Sequence, residues 1–205
     1  MSISEAFYLN LAKRKNTLKV YNPYRDRYKL ENLKHYFEAM FALPGPRVML
    51  VGEAPGYKGC RLTGIPFSSG KLFDEVEHPF LQNLSSQLTL DQDCLVAENT
   101  ASVVWRYLID KPIVPLFWNS FPFHPHPPRI QKKNRPPSVA EIEEGAFYLN
   151  ELVEAFQPDI VAGLGRAGTS CAQTVLPERD ICYIRHPSYG GKRDFVTGMN
   201  QILNI

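Results

Sequence analysis

Cysteine is scarce in this 205-residue sequence, and the few cysteines are spread along the chain. No two of Cys60, Cys94, Cys171 and Cys182 form a C-x-x-C pair, so neither a zinc ribbon nor a short-spaced iron–sulfur motif is supported. Free thiols in a reducing compartment are the simplest interpretation. We therefore expect a cytoplasmic protein that holds no metal ion.

Long apolar runs and a large excess of one charge are absent too. No apolar segment reaches the length of a membrane-spanning helix, and the N-terminus lacks a long apolar core followed by a small-residue cleavage site. We therefore expect no contact with a membrane. The formal net charge of +2 permits nucleic-acid binding only through a local basic patch.

The chain does contain enough apolar material for an ordinary folded domain. Apolar residues make up 44% of the sequence and charged residues 21%, which is typical of a globular protein. A chain of this length can bury a core without disulfides or metal ions. We expect a monomer with one domain over residues 1–205, in which residues 1–45 form a helical segment packed on the rest.

Apolar runs bounded by glycine or proline predict strands, and helical spacing of apolar residues between them predicts helices. The predicted strands are Arg47–Gly52, Ile113–Asn119, Asp159–Leu164 and Ile181–Arg185. The predicted helices are Leu30–Leu43, Lys71–Leu84, Leu95–Ile109, Val139–Phe156, Ala167–Val175 and Phe195–Leu203. Ser138 followed by Glu141 predicts a capping box at the start of the helix from residue 139.

Strands that alternate with helices predict an α/β fold, here a three-layer α/β/α sandwich around a central, mostly parallel four-stranded sheet. In such folds ligands bind beyond the carboxyl ends of the strands. Residues 52–56 follow the first predicted strand, Asn119 ends the second, and His186-Pro187-Ser188 follow the fourth. These residues are expected to meet at one edge of the sheet.

Residues 121–137, with the sequence FPFHPHPPRIQKKNRPP, differ in composition from the rest of the chain. Six of these 17 residues are proline and four are lysine or arginine, which predicts a long, semi-rigid, basic loop. Loops of this length are usually functional or disordered. His124 and His126 within the loop lack a third ligand at a defined spacing, so they indicate a zinc site only weakly.

Each candidate residue has an ordinary structural explanation when it is taken alone. Glu53 fits a solvated turn, Phe67 fits a core, and Asn119 fits a loop whose backbone it bonds. His186 fits a half-buried histidine, and Lys192 with Arg193 fits the exposed start of a helix. Their joint order at strand ends favours a common site.

The order GEAPG (residues 52–56), Gly64-Ile65-Pro66-Phe67, strand–Asn119 and His186-Pro187-Ser188 resembles the uracil-DNA glycosylase superfamily, in the branch whose first motif reads GEAPG. The resemblance extends from about residue 47 to the C-terminus. It implies a central parallel sheet flanked by helices. It also implies hydrolysis of the N-glycosidic bond of uracil or another deaminated base, flipped out of the DNA that is the expected partner.

The resemblance also implies roles for the motif residues. Phe67 would stack on the flipped base, and the amide of Asn119 would pair with O4 and N3–H of uracil. His186 would donate a hydrogen bond to O2, and Glu53 would orient a water molecule or stabilise the sugar cation. The backbone positions expected to approach the base or a phosphate are Gly52, Ala54 and Gly56.

Two segments are expected to contact DNA outside the base pocket. In relatives the loop after the histidine presses into the minor groove, and Tyr189 is the expected apolar wedge in this chain. Basic side chains of that loop and of residues 121–137 would add salt-dependent phosphate contacts. The residues in this prediction are Ser188, Tyr189, Gly190, Lys192, Arg193, Lys132, Lys133 and Arg135.

The sequence departs from its iron–sulfur relatives at residues 57–60, which read Tyr-Lys-Gly-Cys where those relatives are acidic. No cysteine precedes Cys60, so their N-terminal C-x-x-C is missing and we expect no cofactor. Water activation would then depend on Glu53 alone, and the altered wall after Asn119 leaves hypoxanthine open as the preferred base. Two alternatives remain: a catalytically silent DNA-binding protein on the same scaffold, and an α/β protein that binds a small nucleotide.

Overall fold

The computed structural model describes residues 2–204 and shows helices and strands in alternation. In chain order the strands are β1 (Val20–Tyr21), β2 (Val48–Gly52), β3 (Leu116–Asn119), β4 (His124–Pro125), β5 (Ile160–Leu164) and β6 (Ile181–Ile184). The helices are α1 (Glu5–Lys13), α2 (Arg27–Ala42), α3 (Cys60–Thr63), α4 (Gly70–Glu75), α5 (Pro79–Ser85), α6 (Asn99–Leu108), α7 (Val139–Phe156), α8 (Gly165–Val175) and α9 (Lys192–Leu203). Short 3-10 turns cover Pro23–Arg25 and Gln92–Cys94.

The central sheet has four strands in the order β3–β2–β5–β6, and all neighbouring pairs are parallel. Every residue of β2 and of the edge strand β3 is buried, as expected for strands of a parallel sheet that is covered on both faces. The near-continuous apolar runs of the sequence arise from this double burial. The predicted α/β fold with a central parallel sheet is confirmed.

Helices cover both faces of the sheet, as two consecutive residues of β3 show. The ring of Trp118 lies 5.9 Å from Phe7 of α1 and 5.6 Å from Phe37 of α2. The ring of Phe117 lies 5.6 Å from Trp105 of α6. Because successive strand residues point to opposite faces, α1 and α2 lie on one side and α6 on the other, which makes the three layers of the predicted sandwich.

The first helices join the common core directly. Phe7 and Leu11 of α1 and Leu33 and Phe37 of α2 are buried in the same cluster as the strands. Asp26 caps α2 by accepting from the backbone of the helix's first turn. In the part of the chain covered by the structure, residues 2–204, no helix combines the length and the apolar character needed to cross a bilayer.

The single helix predicted over Lys71–Leu84 is wrong. The structure has two helices there, α4 and α5, separated at Val76–His78. Pro79 cannot continue a helix interior, but it is well suited to the first turn of a new one. His78 caps that turn, with Nδ1 accepting from the N–H of Phe80 at 3.1 Å.

The helix predicted from residue 95 begins at Asn99 instead. Glu98 is its N-cap, and its Oε2 accepts a hydrogen bond from the N–H of Ala101 at 2.7 Å. At the start of α7 the predicted capping box between Ser138 and Glu141 is present in both directions, and that prediction is confirmed.

The basic loop is more ordered than its proline content predicts. Its first part is buried from Phe121 to His126, and His124–Pro125 pair as β4 with β1 in an antiparallel ladder. A two-residue edge ladder tolerates proline because few backbone donors are required there. Only the remainder of the segment is largely exposed.

Candidate active site

The strand register brings the predicted motifs to one edge of the sheet. Gly52 is opposite Asn119 across β2 and β3, and Leu164 is opposite Ile184 across β5 and β6. Beyond these ends lies a cleft of about 890 Å³. Its walls include the predicted residues Gly52, Glu53, Ala54, Gly56, Phe67, Asn119, His186 and Tyr189.

Because Gly52 has no side chain, the side chains of Phe67 and Asn119 can pack directly over its Cα. A Cβ at this position would lie 2.7 Å from Oδ1 of Asn119 and 2.7 Å from Cζ of Phe67. Such distances are well inside van der Waals contact. The aromatic ring and the amide therefore share the space that any other side chain at position 52 would occupy.

Phe67 is held in place by its backbone and by two neighbours. Its φ of 52° is left-handed, an uncommon conformation for a bulky residue and one found at functional sites. Its carbonyl accepts a hydrogen bond from Nε1 of Trp105 at 3.0 Å, and its ring stacks on Phe117 with centroids 5.1 Å apart. The ring is thus a fixed, partly exposed aromatic surface on the cleft wall.

Asn119 presents an amide that is nearly buried, with 5% of the residue exposed. Its Oδ1 lies over Gly52, and within residues 2–204 we find no protein hydrogen bond to its side chain. A buried amide normally has partners. This amide is therefore available to a ligand that offers one donor and one acceptor side by side.

Glu53 has a fixed backbone, and its carboxylate is unpaired among residues 2–204. The Glu53 carbonyl accepts from the N–H of Phe121 at 3.1 Å, and the Gly52 carbonyl accepts from the N–H of Ser120 at 2.9 Å. None of the described residues hydrogen-bonds or ion-pairs with the carboxylate. Burial raises the pKa of the Glu53 carboxyl above its ordinary value.

His186 is oriented by the turn that follows it. The N–H of Ser188 donates to Nδ1 of His186 at 3.2 Å, so the neutral ring carries its proton on Nε2. Burial lowers the pKa of His186, Glu98 acts in the opposite direction, and Arg185 lowers the pKa further. The outcome is a neutral imidazole with one N–H available as a donor.

The loop after His186 projects from the site. Tyr189 is 99% exposed and has a left-handed φ of 52°, and Gly190 follows with a φ of 74°. The N–H of Gly191 closes the turn on the carbonyl of Ser188 at 3.1 Å. Lys192 and Arg193 are exposed in the first turn of α9.

The three basic residues predicted in the proline-rich loop do not share one environment. Lys132 and Lys133 are exposed. Arg135 instead forms a two-pronged pair with Glu141, with distances of 2.7 and 2.6 Å, and its Nε donates to the carbonyl of His126. The structure gives Arg135 a bonded position inside the loop, unlike the two lysines.

Several residues of the cleft were not singled out by the sequence. Arg166 and Arg185 flank the ends of β5 and β6, and Asn134 comes from the proline-rich loop. Glu98 adds a second carboxylate to the cleft, although its Oε2 is already bonded to Ala101. Because the helix was predicted to begin at residue 95, the sequence did not indicate that Glu98 lies at its N-terminus and faces the cleft.

His124 and His126 are stacked and buried rather than grouped with further ligands. Their ring centroids are 5.6 Å apart, and both nitrogens of His124 face backbone carbonyls, of Pro55 at 2.8 Å and of Gln131 at 2.9 Å. Over residues 2–204, His, Cys, Asp and Glu side chains form no group of three or more suited to a metal ion. His124 thus joins the loop to the GEAPG turn through Pro55.

Comparison with known proteins adds a family and a fold. The family model described as "Uracil DNA glycosylase superfamily" matches residues 40–202. Among 13 matching chains of solved structures is wild-type SMUG2 of Pedobacter heparinus, with a TM-score of 0.63 and 13% sequence identity over 97% of this chain and 96% of that chain. At this identity the likeness shows a shared fold. No curated protein sequence matches the chain.

Proposed function

Because the chain belongs to the uracil DNA glycosylase superfamily, we propose that it is a monofunctional DNA glycosylase that hydrolyses the N-glycosidic bond of uracil or another deaminated base in DNA. The observation that carries this proposal is the meeting of Glu53, Phe67, Asn119 and His186 in one cleft. They supply an aromatic surface, an amide, a neutral donor and a carboxylate. These are the groups that cleavage of a base from its sugar requires.

The base enters the cleft after it leaves the stack, since its glycosidic bond is inaccessible in a duplex. Phe67 then offers its ring as a stacking surface, which contributes about 1–3 kcal/mol per base. Oδ1 of Asn119 accepts from N3–H of uracil while its Nδ2 donates to O4. Cytosine has the opposite donor and acceptor pattern, so the same amide disfavours it.

Cleavage of the bond leaves negative charge on the base and positive charge on the sugar, and the site has one side chain to stabilise each charge. As the glycosidic bond breaks, its electron pair goes to the base, and the Nε2–H of His186 donates to O2 of the departing anion. The sugar carbon becomes positive and takes the oxygen of a water molecule, whose proton passes to the carboxylate of Glu53. No lysine enters this scheme, so the abasic sugar is left intact.

The surroundings of the cleft fit a DNA duplex. Tyr189 projects as the wedge that would fill the gap left by the flipped base. Lys132, Lys133, Lys192 and Arg193 are exposed cations for phosphate contacts. Arg135 is left out of this set because its guanidinium is bonded to Glu141.

The test is excision from synthetic DNA. The protein is incubated with single- and double-stranded oligonucleotides that carry uracil, hypoxanthine or xanthine, and abasic products are cleaved with alkali. We expect product from uracil. Absence of product above a Glu53→Ala control on every base would refute the glycosylase proposal, and salt-sensitive binding without product would select the silent DNA-binding alternative.

The rate of excision is expected to fall as the pH is lowered. Glu53 must be ionised and His186 neutral, and acid protonates both. Burial raises the pKa of Glu53 and lowers the pKa of His186, so the loss due to Glu53 should begin at a higher pH than for an ordinary carboxyl, and the loss due to His186 at a lower pH than for an ordinary imidazole. Single-turnover rates from neutral to acid pH, corrected for base loss without protein, measure both losses; a constant rate would contradict the assignment.

Tyr189→Ala is expected to reduce excision from a paired duplex by about tenfold, since a filled gap in the stack is worth roughly 1–3 kcal/mol. Single-stranded substrate should be affected much less, because no gap needs filling. The ratio of the two rates is the measurement. Equal losses on both substrates would argue that Tyr189 acts elsewhere than in the duplex.

A further inference from the structure

Asn134 is the residue of the proline-rich loop that faces the cleft. Its Oδ1 accepts a hydrogen bond from the backbone N–H of Tyr57 at 2.9 Å, which fixes the orientation of the amide. A Cβ built on Gly56 would lie 3.7 Å from Nδ2 of Asn134. The amide therefore holds its N–H₂ group over the GEAPG turn, and none of the described residues accepts a hydrogen bond from it.

The loop that carries this donor is anchored close to it. The guanidinium of Arg61 donates to Oε1 of Gln131 at 3.1 Å. The ring of His124 lies between the carbonyls of Pro55 and Gln131. Arg135, next in the chain, is bonded to its carboxylate partner by two hydrogen bonds. A donor fixed in this way loses little conformational freedom when it binds a ligand.

The position of the donor indicates which part of a nucleotide it contacts. Phe67 and Asn119, which suit the base, approach the turn at Gly52. Asn134 approaches the turn four residues further on, at Gly56. An amide N–H₂ donates hydrogen bonds to acceptor oxygens. Away from the base, the acceptor oxygens of DNA belong to the sugar-phosphate backbone.

The charge around Asn134 favours the phosphate among these acceptors. Lys132 and Lys133 directly precede it in the chain, and both side chains are exposed. Backbone N–H groups near glycine also suit a phosphate, because glycine lets the backbone come close. The loop thus presents positive charge around one neutral, fixed donor.

We propose that Nδ2 of Asn134 donates a hydrogen bond to a backbone phosphate of the nucleotide whose base occupies the cleft. The inference rests on the proposed function, because it takes DNA as the ligand. Asn134 is then a positioning residue: it has no contact with the breaking bond. It fixes the sugar-phosphate backbone relative to Glu53 and to the base-binding surface.

Two substitutions of Asn134 separate this role from a structural one. Asn134→Asp keeps the oxygen that accepts from Tyr57 but replaces the donor by a negatively charged oxygen facing the phosphate. Asn134→Ala removes both groups. Gln131→Glu is the matched control, because it adds one negative charge to the same loop and keeps the acceptor for Arg61.

The measurements are affinity for an oligonucleotide with an uncleavable abasic-site analogue, and kcat/KM for uracil and hypoxanthine substrates. We expect Asn134→Asp to lose about tenfold or more in both, as for a hydrogen bond to a charged group. Gln131→Glu should lose no more than about threefold. The loss should be the same for every base and for the abasic analogue.

Three results would overturn the proposal. If Asn134→Asp binds DNA with wild-type affinity while Asn134→Ala binds more weakly, the residue serves only to hold the loop against Tyr57 through its Oδ1. A loss equal to that of Gln131→Glu would show a general charge effect, and a loss confined to one base would show a base contact. Wild-type protein that binds DNA but excises nothing would refute the proposed function, while the affinities would still decide the role of Asn134.

Discussion

Glu53→Gln is expected to lower the excision rate by about 10²–10⁴-fold, the usual contribution of a positioned acid–base group. Glutamine has nearly the same size as glutamate but can neither take a proton from water nor oppose the positive charge of the sugar. Because the Glu53 side chain has no hydrogen-bond partner among the described residues, its replacement should leave the fold intact. Circular dichroism and affinity for abasic-analogue DNA check that only catalysis has changed.

Glu98→Gln is the matched control for this experiment. Its amide oxygen can still accept from the N–H of Ala101, so the cap of α6 is kept while the second carboxylate of the cleft loses its charge. We expect a much smaller loss than for Glu53→Gln. If Glu53→Gln retains a rate within tenfold of the wild type, the assignment of Glu53 is wrong, and a larger loss in Glu98→Gln would transfer the role to that residue.

Gly52→Ala is expected to reduce excision by about 100-fold with the fold retained. The new methyl group would lie 2.7 Å from both Oδ1 of Asn119 and Cζ of Phe67. The ring of Phe67 cannot move aside easily, because its carbonyl is bonded to Trp105 and its face is stacked on Phe117. Overpacking of this kind costs about 1–3 kcal/mol, and the upper end corresponds to about 100-fold in base binding.

Gly56→Ala is the control for Gly52→Ala: it replaces a glycine of the same turn without a clash against Phe67 and Asn119. Of the residues that the structure describes, a Cβ there would meet Asn134 alone, with Nδ2 at 3.7 Å, which is ordinary contact. The free protein should therefore be equally stable in thermal melts with either residue at position 56. Equal losses of excision and stability in Gly52→Ala and Gly56→Ala would contradict the argument that Phe67 and Asn119 require a glycine at position 52.

The sheet was predictable because doubly covered strands need unbroken apolar runs. The observed strands Val48–Gly52 and Ile160–Leu164 lie within the predicted ranges, as does Leu116–Asn119. Helix boundaries were less predictable, since apolar spacing alone does not reveal a break. His78 and Pro79 start a new helix inside the range that was predicted as one helix. Glu98 caps α6, which therefore begins later than the apolar spacing predicted.

The site was predictable where its residues follow strands. Gly52 and Asn119 are paired in register, so their meeting follows from the parallel sheet itself. Asn134 and Tyr57 are 77 positions apart and meet only because the loop folds back along the turn. Arg135 is the opposite case. Its positive charge predicted a contact with DNA, but in the structure its side chain forms an ion pair with Glu141.

The sequence by itself determined the four strands of the central sheet and their alternation with helices, the motifs at the strand ends and the family to which they point. Apolar periodicity and turn residues act over a few positions and can be read locally. Only the tertiary structure decided that Gly52 lies beneath Phe67 and Asn119, that Glu98 joins the cleft, and that Asn134 holds its N–H₂ group over Gly56. Those contacts depend on the path of long loops through space, which no local pattern specifies.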